Sequence, residues 1–211
     1  MEEIMKTKTK EFSTSEGIVE YTCRYLGTIT LSDHIHASDP CYDRYVWCRR
    51  EIEDVLPGEY RVYSIHNDKE HRVHSLVLLH EKKHKPWQFI FKWAFGKDVG
   101  VDSGQFGFFD DSIYPLTEKT GGEMEDLDSF YGKCCQATLS KEQEGIIDNK
   151  GVVSSSGWGD GAYPYYVNAL GKKSAFMVDY LSENDQEMLT ILFTMSDKRV
   201  EKTKKGEEAT S

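Results

Sequence analysis

Short segments in which apolar and polar residues alternate recur along this chain, and turn residues separate them. Such period-two patterning is typical of strands with one buried face, so it restricts the chain to folds built on sheets. The clearest examples are Gly17–Leu31, which is interrupted at Gly27, and residues 59–65, which follow the Pro57-Gly58 turn. The sequence therefore predicts a mainly β or α+β fold with antiparallel sheets and one or two short helices.

Other segments extend this pattern. Residues 71–80 (HRVHSLVLLH) and 87–95 (WQFIFKWAF) are predicted to be two antiparallel strands joined by the charged tip EKKHKP. Residues 123–139 have the composition of a helix, although Gly132 weakens it. The apolar segments 174–181 (SAFMVDYL) and 187–195 (EMLTILFTM) are predicted to be the last core strands.

Polar and charged residues dominate both ends of the chain, so we expect one globular domain over residues 17–195. Residues 1–16 are predicted to be a flexible arm, and residues 196–211 a disordered charged tail. No linker-like segment divides the domain, and the chain is long enough to bury a substantial core.

Thirty-six acidic residues against 26 basic ones give a formal net charge of −10. This balance argues against a nucleic-acid partner, because phosphate binding depends on lysine and arginine patches, and it suits a cation or a basic partner. No apolar run is long enough to predict a membrane span, and the N-terminal residues lack the apolar region of a signal peptide. The five cysteines are odd in number, which favours reduced thiols and a cytoplasmic location.

The segment SSSGWGDGAYPYYV, residues 154–167, places Gly157, Gly159 and Gly161 around Trp158 and Asp160. Three alternate glycines predict backbone that another group approaches closely, or a bulge on a bent strand. A tight turn in which the aspartate side chain bonds to nearby backbone is the alternative.

Three further patterns resemble chemical sites. His34 and His36 would face the same side of a strand and could bind a metal ion with an aspartate such as Asp39, but two histidines on a solvent-exposed face before a turn are the favoured alternative. HEKKH, residues 80–84, matches the zinc-protease pattern, but its strand-like and lysine-rich context favours a hairpin tip. VDSG, residues 101–104, is similar to an aspartic-protease loop, but Gln105 stands where those enzymes have a small residue, and a β turn explains the triplet without a catalytic role.

Residues 156–181, which begin SGWGDGAYP, resemble the C-terminal signature of the bacterial domain of unknown function 4241. Residues 99–111 (VGVDSGQFGFFDD) and 37–43 (ASDPCYD) are similar to that family's second and first blocks, in the same order. The cysteine and tyrosine after Asp39-Pro40, and the histidine-rich residues 66–85, depart from the pattern. The resemblance implies a shared fold and a set of motif residues rather than an activity.

Each of the three blocks contributes an aspartate, and loops from different parts of a sheet can converge on one pocket. We therefore expect an acidic, aromatic-walled pocket that binds a small polar ligand or a divalent cation. Its predicted lining residues are Asp39, Asp102, Ser103, Gln105, Gly157, Trp158, Gly159, Asp160, Gly161 and Tyr163. In the metal-binding version, Asp39, Asp102 and Asp160 are the ligands, with His34 and His36 as further candidates.

Two other functions fit the same residues. The protein could be a metal-assisted hydrolase in which the aspartates act as ligands or bases. It could instead be an interaction protein, such as an immunity factor or a phage-encoded inhibitor, that binds a basic partner through its negative charge. A purely structural alternative is that the three motifs are turns that stabilise the sheet.

Overall fold

The computed structural model describes residues 7–14, 17–116, 122–168 and 170–196. Its strands, numbered in chain order, are β1 (Thr7–Thr14), β2 (Gly17–Leu31), β3 (Ile35–Ser38), β4 (Arg50–Ile52), β5 (Gly58–Asn67), β6 (Arg72–His80), β7 (Trp93–Val101), β8 (Gln105–Asp110), β9 (Glu144–Ile147), β10 (Gly151–Ser155), β11 (Gly161–Asn168) and β12 (Ala175–Asp179). The helices of the described residues are α1 (Phe130–Thr138) and α2 (Asp185–Met195).

The strands form two antiparallel sheets. The larger has the order β1-β2-β5-β6-β12-β11-β7, and the smaller has the order β4-β3-β8-β10-β9. Neighbouring strands in both sheets run antiparallel throughout their registers. The predicted fold class, a β-rich single domain with antiparallel sheets and short helices, is confirmed.

The two sheets pack face to face around the main core, which includes Tyr60, Leu76, Phe108 and Phe176. The outer face of the larger sheet is covered by α2 and by the segment around Trp87. Helix α1 covers the outer face of the smaller sheet. Because β6 is buried on both faces, its residues 76–79 form a continuous apolar run rather than an alternating pattern.

Residues 187–195 are not a strand, so that prediction is wrong. They belong to α2, which begins after Asn184, whose side chain accepts a hydrogen bond from the Glu187 amide. The buried residues of α2 recur at helical spacing and are Met188, Ile191, Leu192 and Met195. This spacing places them on one face of a helix, a signal that the apolar composition of the segment concealed.

The predicted pairing of residues 71–80 with 87–95 is also wrong. Strand β6 pairs with β5 and β12, whereas β7 begins at Trp93 and pairs with β11. Trp87 and Phe89 lie outside the strands and fill the outer core of the larger sheet, where both contact the Tyr63 ring. Packing of these large aromatic side chains replaces the strand pairing that their composition indicated.

The interruption predicted at Gly27 is a register shift between Tyr25 and Gly27 in the pairing of β2 with β5. Gly27 has a φ of 139°, and a Cβ atom there would lie 2.9 Å from Ile146 Cδ1. The bulge therefore requires glycine for its backbone angle, and the Ile146 side chain of the second sheet packs against it.

The chain ends differ in part from their prediction. Residues 7–14, which lie within the predicted flexible arm of residues 1–16, pair with β2 along their full length. The Phe12 ring packs edge-on against Tyr21, with ring centroids 5.8 Å apart, and this contact anchors the strand. The rest of the arm and the predicted tail from residue 197 onwards lie outside the described residues.

The helix predicted over residues 123–139 is shorter than expected, because turns occupy residues 124–129 and α1 begins after the Ser129 cap.

All five cysteines are free thiols. In the part of the chain that the structure describes, neither helix is long and apolar enough to span a membrane.

Candidate functional site

Asp39 joins the first two sequence motifs. It follows β3, its side chain is fully buried, and its carboxylate accepts four hydrogen bonds. Oδ2 accepts from the amides of Asp102 (2.8 Å) and Ser103 (2.7 Å), and Oδ1 accepts from the Cys41 amide (2.9 Å) and Ser103 Oγ (2.6 Å). A carboxylate has about four acceptor positions, so donors of the protein itself fill every acceptor position of the Asp39 carboxylate.

The third motif packs beside the second. The Ser156 amide donates to the Gly104 carbonyl at 3.0 Å, and a Cβ atom on Gly104 would lie 4.0 Å from Gly159 Cα. Ser156 Oγ and the Tyr163 hydroxyl both donate to the Gly159 carbonyl, at 2.7 and 2.8 Å. The three motifs therefore meet at one end of the two sheets.

The glycines of the third motif serve the protein's own packing. Gly157 has a φ of +64°, and a Cβ atom there would lie 2.7 Å from Leu181 Cδ2 and 2.8 Å from Tyr180 Cβ. Gly159 has a φ of +95° with open space around its Cβ position, so its glycine is needed for the turn alone. Gly161 begins β11. The close approach that the sequence predicted is thus an approach by other residues of this chain, at Gly157.

Trp158 projects from this loop and is 59% exposed. The Arg72 guanidinium carbon lies 4.9 Å from the centre of the Trp158 ring, and Arg72 Nη1 donates to the Gly157 carbonyl. A cation–π contact combined with a backbone hydrogen bond restricts the motion of the indole. Trp158 is therefore an exposed aromatic group held in a defined position.

The three motif aspartates do not form a shared metal centre. Asp39 is buried, whereas the side chains of Asp102 and Asp160 are exposed and make no ion pair with any described residue. Among the described residues, the three carboxylates do not form a group of ligand atoms lying within 4.8 Å of one another. Gln105 is buried, and its Nε2 donates to Cys135 Sγ of α1 at 3.4 Å.

Two further exposed aromatic side chains, missed in the sequence, lie in the loop that contains the first motif. Tyr45 and Trp47, in the loop between β3 and β4, are 81% and 84% exposed. The loop is attached to β7 because the Gly100 amide donates to the Cys48 carbonyl at 3.4 Å, and Gly100 pairs with Ala162 of β11. These backbone contacts bring together the loops that carry the exposed residues Tyr45, Trp47, Asp102, Trp158 and Asp160, and we call this set of residues the motif face.

The predicted pair His34 and His36 does lie close together, but with Asp111 rather than with Asp39. His36 Nε2 is 2.9 Å from Asp111 Oδ1, and His34 Nδ1 is 4.0 Å from the same oxygen. Glu51 Oε1 lies 2.5 Å from His34 Nε2. Asp111 follows β8 and Glu51 lies in β4, and both strands pair with β3, so the register of the smaller sheet assembles this cluster.

Two arginines occupy the same cluster. Arg44 Nη1 contacts Asp111 Oδ1, and Arg49 Nη1 lies 2.5 Å from His36 Nδ1. Because a guanidinium can only donate, His36 Nδ1 accepts and Nε2 carries the hydrogen that Asp111 accepts. Burial, together with Arg49 and Arg44, lowers the pKa of His36 to about 4, so the ring is neutral. Although burial alone would raise it, hydrogen bonds from His36 and Arg44 lower the pKa of Asp111.

This arrangement opposes metal binding at His36. A metal ion on Nε2 would move the ring hydrogen to Nδ1, where it would point at the Arg49 N–H groups. We expect excess Zn²⁺ to leave the melting temperature of the wild-type protein unchanged, and to raise that of Arg49→Leu by about 3 °C. The measurement is a thermal melt with and without Zn²⁺. A zinc-dependent rise in the wild type that disappears in His34→Ala would instead establish a metal centre.

The two regions therefore differ in what they can do chemically. The histidine cluster is a network of hydrogen bonds and ion pairs that ties the β3–β4 loop to the smaller sheet. The motif face presents exposed aromatic rings and carboxylates. Comparison of the chain with protein-family models, curated proteins and solved structures gave no match, so the resemblance to domain of unknown function 4241 stays a prediction from its three motifs.

Proposed function

We propose that this protein is a binding module whose motif face recognises a lysine- and arginine-rich segment of a partner protein. The observation that carries the proposal is the exposure of Tyr45, Trp47 and Trp158 on two loops that flank the 102–104 turn. Tyrosine and tryptophan, together with arginine, are the residues most enriched among those that dominate binding energy at protein interfaces.

Electrostatics favour a cationic partner. The carboxylates of Asp102 and Asp160 have no ion pair within the described structure, so both can bind an incoming ammonium or guanidinium group. The chain carries a net charge of −10, which accelerates the approach of a basic partner. The exposed aromatic rings can stack with arginine or with the alkyl part of lysine.

The binding surface is organised before a partner arrives. Asp39 holds the 102–103 turn through three hydrogen bonds, and Arg72 holds Trp158 through its ring and the adjacent carbonyl. Order that already exists in the free protein reduces the entropy lost on binding. The same contacts count against a small-ligand pocket built on Asp39, because that carboxylate has no free acceptor position.

The test measures binding of a fluorescein-labelled peptide of lysine, arginine and glycine by fluorescence anisotropy. We expect Asp102→Asn combined with Asp160→Asn to weaken binding about tenfold, which corresponds to about 1.4 kcal/mol. The matched control is Glu125→Gln combined with Asp128→Asn, which changes the net charge equally at exposed positions elsewhere. Trp158→Ala should also weaken binding about tenfold, whereas Leu139→Ala, at another exposed apolar side chain, should not.

Equal weakening by the two charge-changing pairs would mean that only net charge attracts the peptide, and the motif face would then not be the binding site. Failure of the wild type to bind the peptide at low ionic strength would likewise reject a basic partner. Because surface charge interactions are screened by salt, the affinity of the wild type should fall as salt is raised from low to physiological concentration.

A further inference from the structure

A groove of about 410 Å³ lies at the other end of β11 from the motif face. Strand β11 begins at Gly161, beside the motif face, and ends at Asn168, which lines the groove. Eight residues of strand span about 23 Å, so the two regions are separate. The volume lies within the range of small-molecule sites.

The groove is basic in an acidic protein. Its charged lining residues are Lys83, Lys92 and Lys172, and none of their ammonium groups makes an ion pair with any residue that the structure describes. The nearby Glu81 carboxylate is already occupied, because its Oε1 lies 3.4 Å from Arg61 Nη1. All three lysines are exposed at the groove, so an anion bound there would be attracted by three positive charges that have no ion-pair partner among the described residues.

Hydrogen bonds hold both walls of the groove in place. On one wall, the Asn168 side chain accepts from the amides of Ser174 (2.6 Å) and Ala175 (3.1 Å) and donates to the carbonyls of Leu170 and Lys172. This single side chain therefore uses four hydrogen bonds to fix the backbone that carries Lys172.

On the other wall, Arg61 donates to the carbonyls of Glu81 and His84, and the amides of Lys83 and His84 both donate to the His80 carbonyl. His84 connects the two walls, because its Nε2 lies 3.1 Å from Ser174 Oγ. Burial and the neighbouring His80 and Arg61 lower the pKa of His84, which keeps its ring neutral.

The remaining lining is apolar. Leu56, Phe91 and Leu170 contribute side chains beside the lysines, and the Phe91 ring stacks on His84 with centroids 4.8 Å apart. Unpaired ammonium groups next to apolar surface suit a molecule with an anionic head and an apolar body. Inorganic anions would use only the first of these two features.

We propose that this groove binds a small organic phosphate, with the phosphate among Lys83, Lys92 and Lys172 and the apolar part on Leu56, Phe91 and Leu170. The site is independent of the motif face, so it stands whether or not the protein binds a basic partner. The HEKKH pattern contributes to it through Lys83 and His84, as part of an anion site rather than a zinc site.

Isothermal titration calorimetry of the full chain tests the proposal with phenyl phosphate, inorganic phosphate and phenol as probes. We expect phenyl phosphate to bind with a Kd of about 1 mM or tighter, inorganic phosphate to bind about fivefold more weakly, and phenol to show no binding. Lys83→Gln combined with Lys172→Gln should weaken phenyl phosphate binding at least about tenfold. The control pair Lys97→Gln with Lys141→Gln, at exposed positions outside the groove, should change it less than about twofold.

Several results would overturn the proposal. They are absence of heat with phenyl phosphate at millimolar concentration, equal weakening by the two lysine pairs, and equal affinity for phenol and phenyl phosphate. Leu170→Ala separates the two parts of the ligand, because this exposed side chain should affect phenyl phosphate and leave inorganic phosphate unchanged. If inorganic phosphate binds as tightly as phenyl phosphate, the apolar part of the proposal is wrong.

Discussion

Asp39→Asn is expected to destabilise the protein by about 3–5 kcal/mol. The wild-type carboxylate accepts hydrogen bonds from three backbone amides and from Ser103 Oγ, and it is fully buried. An asparagine presents an NH₂ group in place of one oxygen, so at least one buried donor would face another donor. The free energy of unfolding in urea measures the loss.

The control for this experiment is Asp43→Asn in the same loop. Its Oδ1 accepts a hydrogen bond from the Tyr45 amide at 2.7 Å, but the residue is partly exposed, so the expected loss is below about 1 kcal/mol. Ser103→Ala is a milder second variant, which removes one donor to Asp39 and should cost about 1–2 kcal/mol. If Asp39→Asn is as stable as Asp43→Asn, the Asp39 carboxylate does not stabilise the fold. Ligand binding by Asp39 would then again be the better explanation of its position.

Stability is expected to fall as the pH is lowered from 6.5 to 4. Burial lowers the pKa values of His36 and His74 from 6.5 to about 4, so over this interval the unfolded chain binds protons that the folded protein does not. Each histidine therefore contributes stability that is present above pH 6.5 and is lost on acidification. Linkage bounds the loss at about 3 kcal/mol for each histidine. The lowered pKa of His84 acts in the same direction.

Asp179 acts in the opposite direction. Burial raises its pKa from 3.8 to about 6, so over part of the same interval the folded protein binds a proton that the unfolded chain does not. Its contribution to stability is present below pH 3.8 and is lost as the pH rises through 6. Because Asp179 Oδ1 lies 3.8 Å from His74 Nδ1, these two buried groups titrate as a pair. The contributions of His36 and His84 are lost on acidification separately from that pair, so the net effect is a loss of stability.

Urea unfolding at pH 7, 6 and 5 measures this dependence in the wild type and in three variants. His36→Gln and His74→Gln should each flatten the decline, because each removes one titrating group, and Asp179→Asn should make it steeper. Glutamine suits position 36 because it can accept from Arg49 and donate to Asp111, as the neutral histidine does. A wild type as stable at pH 5 as at pH 7, with unchanged slopes in all three variants, would contradict the assignment.

Local sequence patterns determined the class of fold. Gly17–Leu31 is a strand interrupted at Gly27, as predicted, and the interruption is a bulge, because alternation and a glycine requirement are both properties of a few adjacent residues. Residues 187–195 were misassigned because their composition suits a strand and only their spacing distinguishes a helix.

The sequence identified the three motif blocks that contain Asp39, Asp102 and Asp160, and in the structure hydrogen bonds join the loops of these blocks. What the sequence alone determined was therefore the β-rich class and the segments that carry the unusual residues. Only the tertiary structure decided that the Asp39 carboxylate turns inward while Asp102 and Asp160 remain exposed, and that Asp111, rather than Asp39, joins His34 and His36. The physical reason is that the orientation of a loop side chain depends on hydrogen-bond partners that strand register brings from distant parts of the chain.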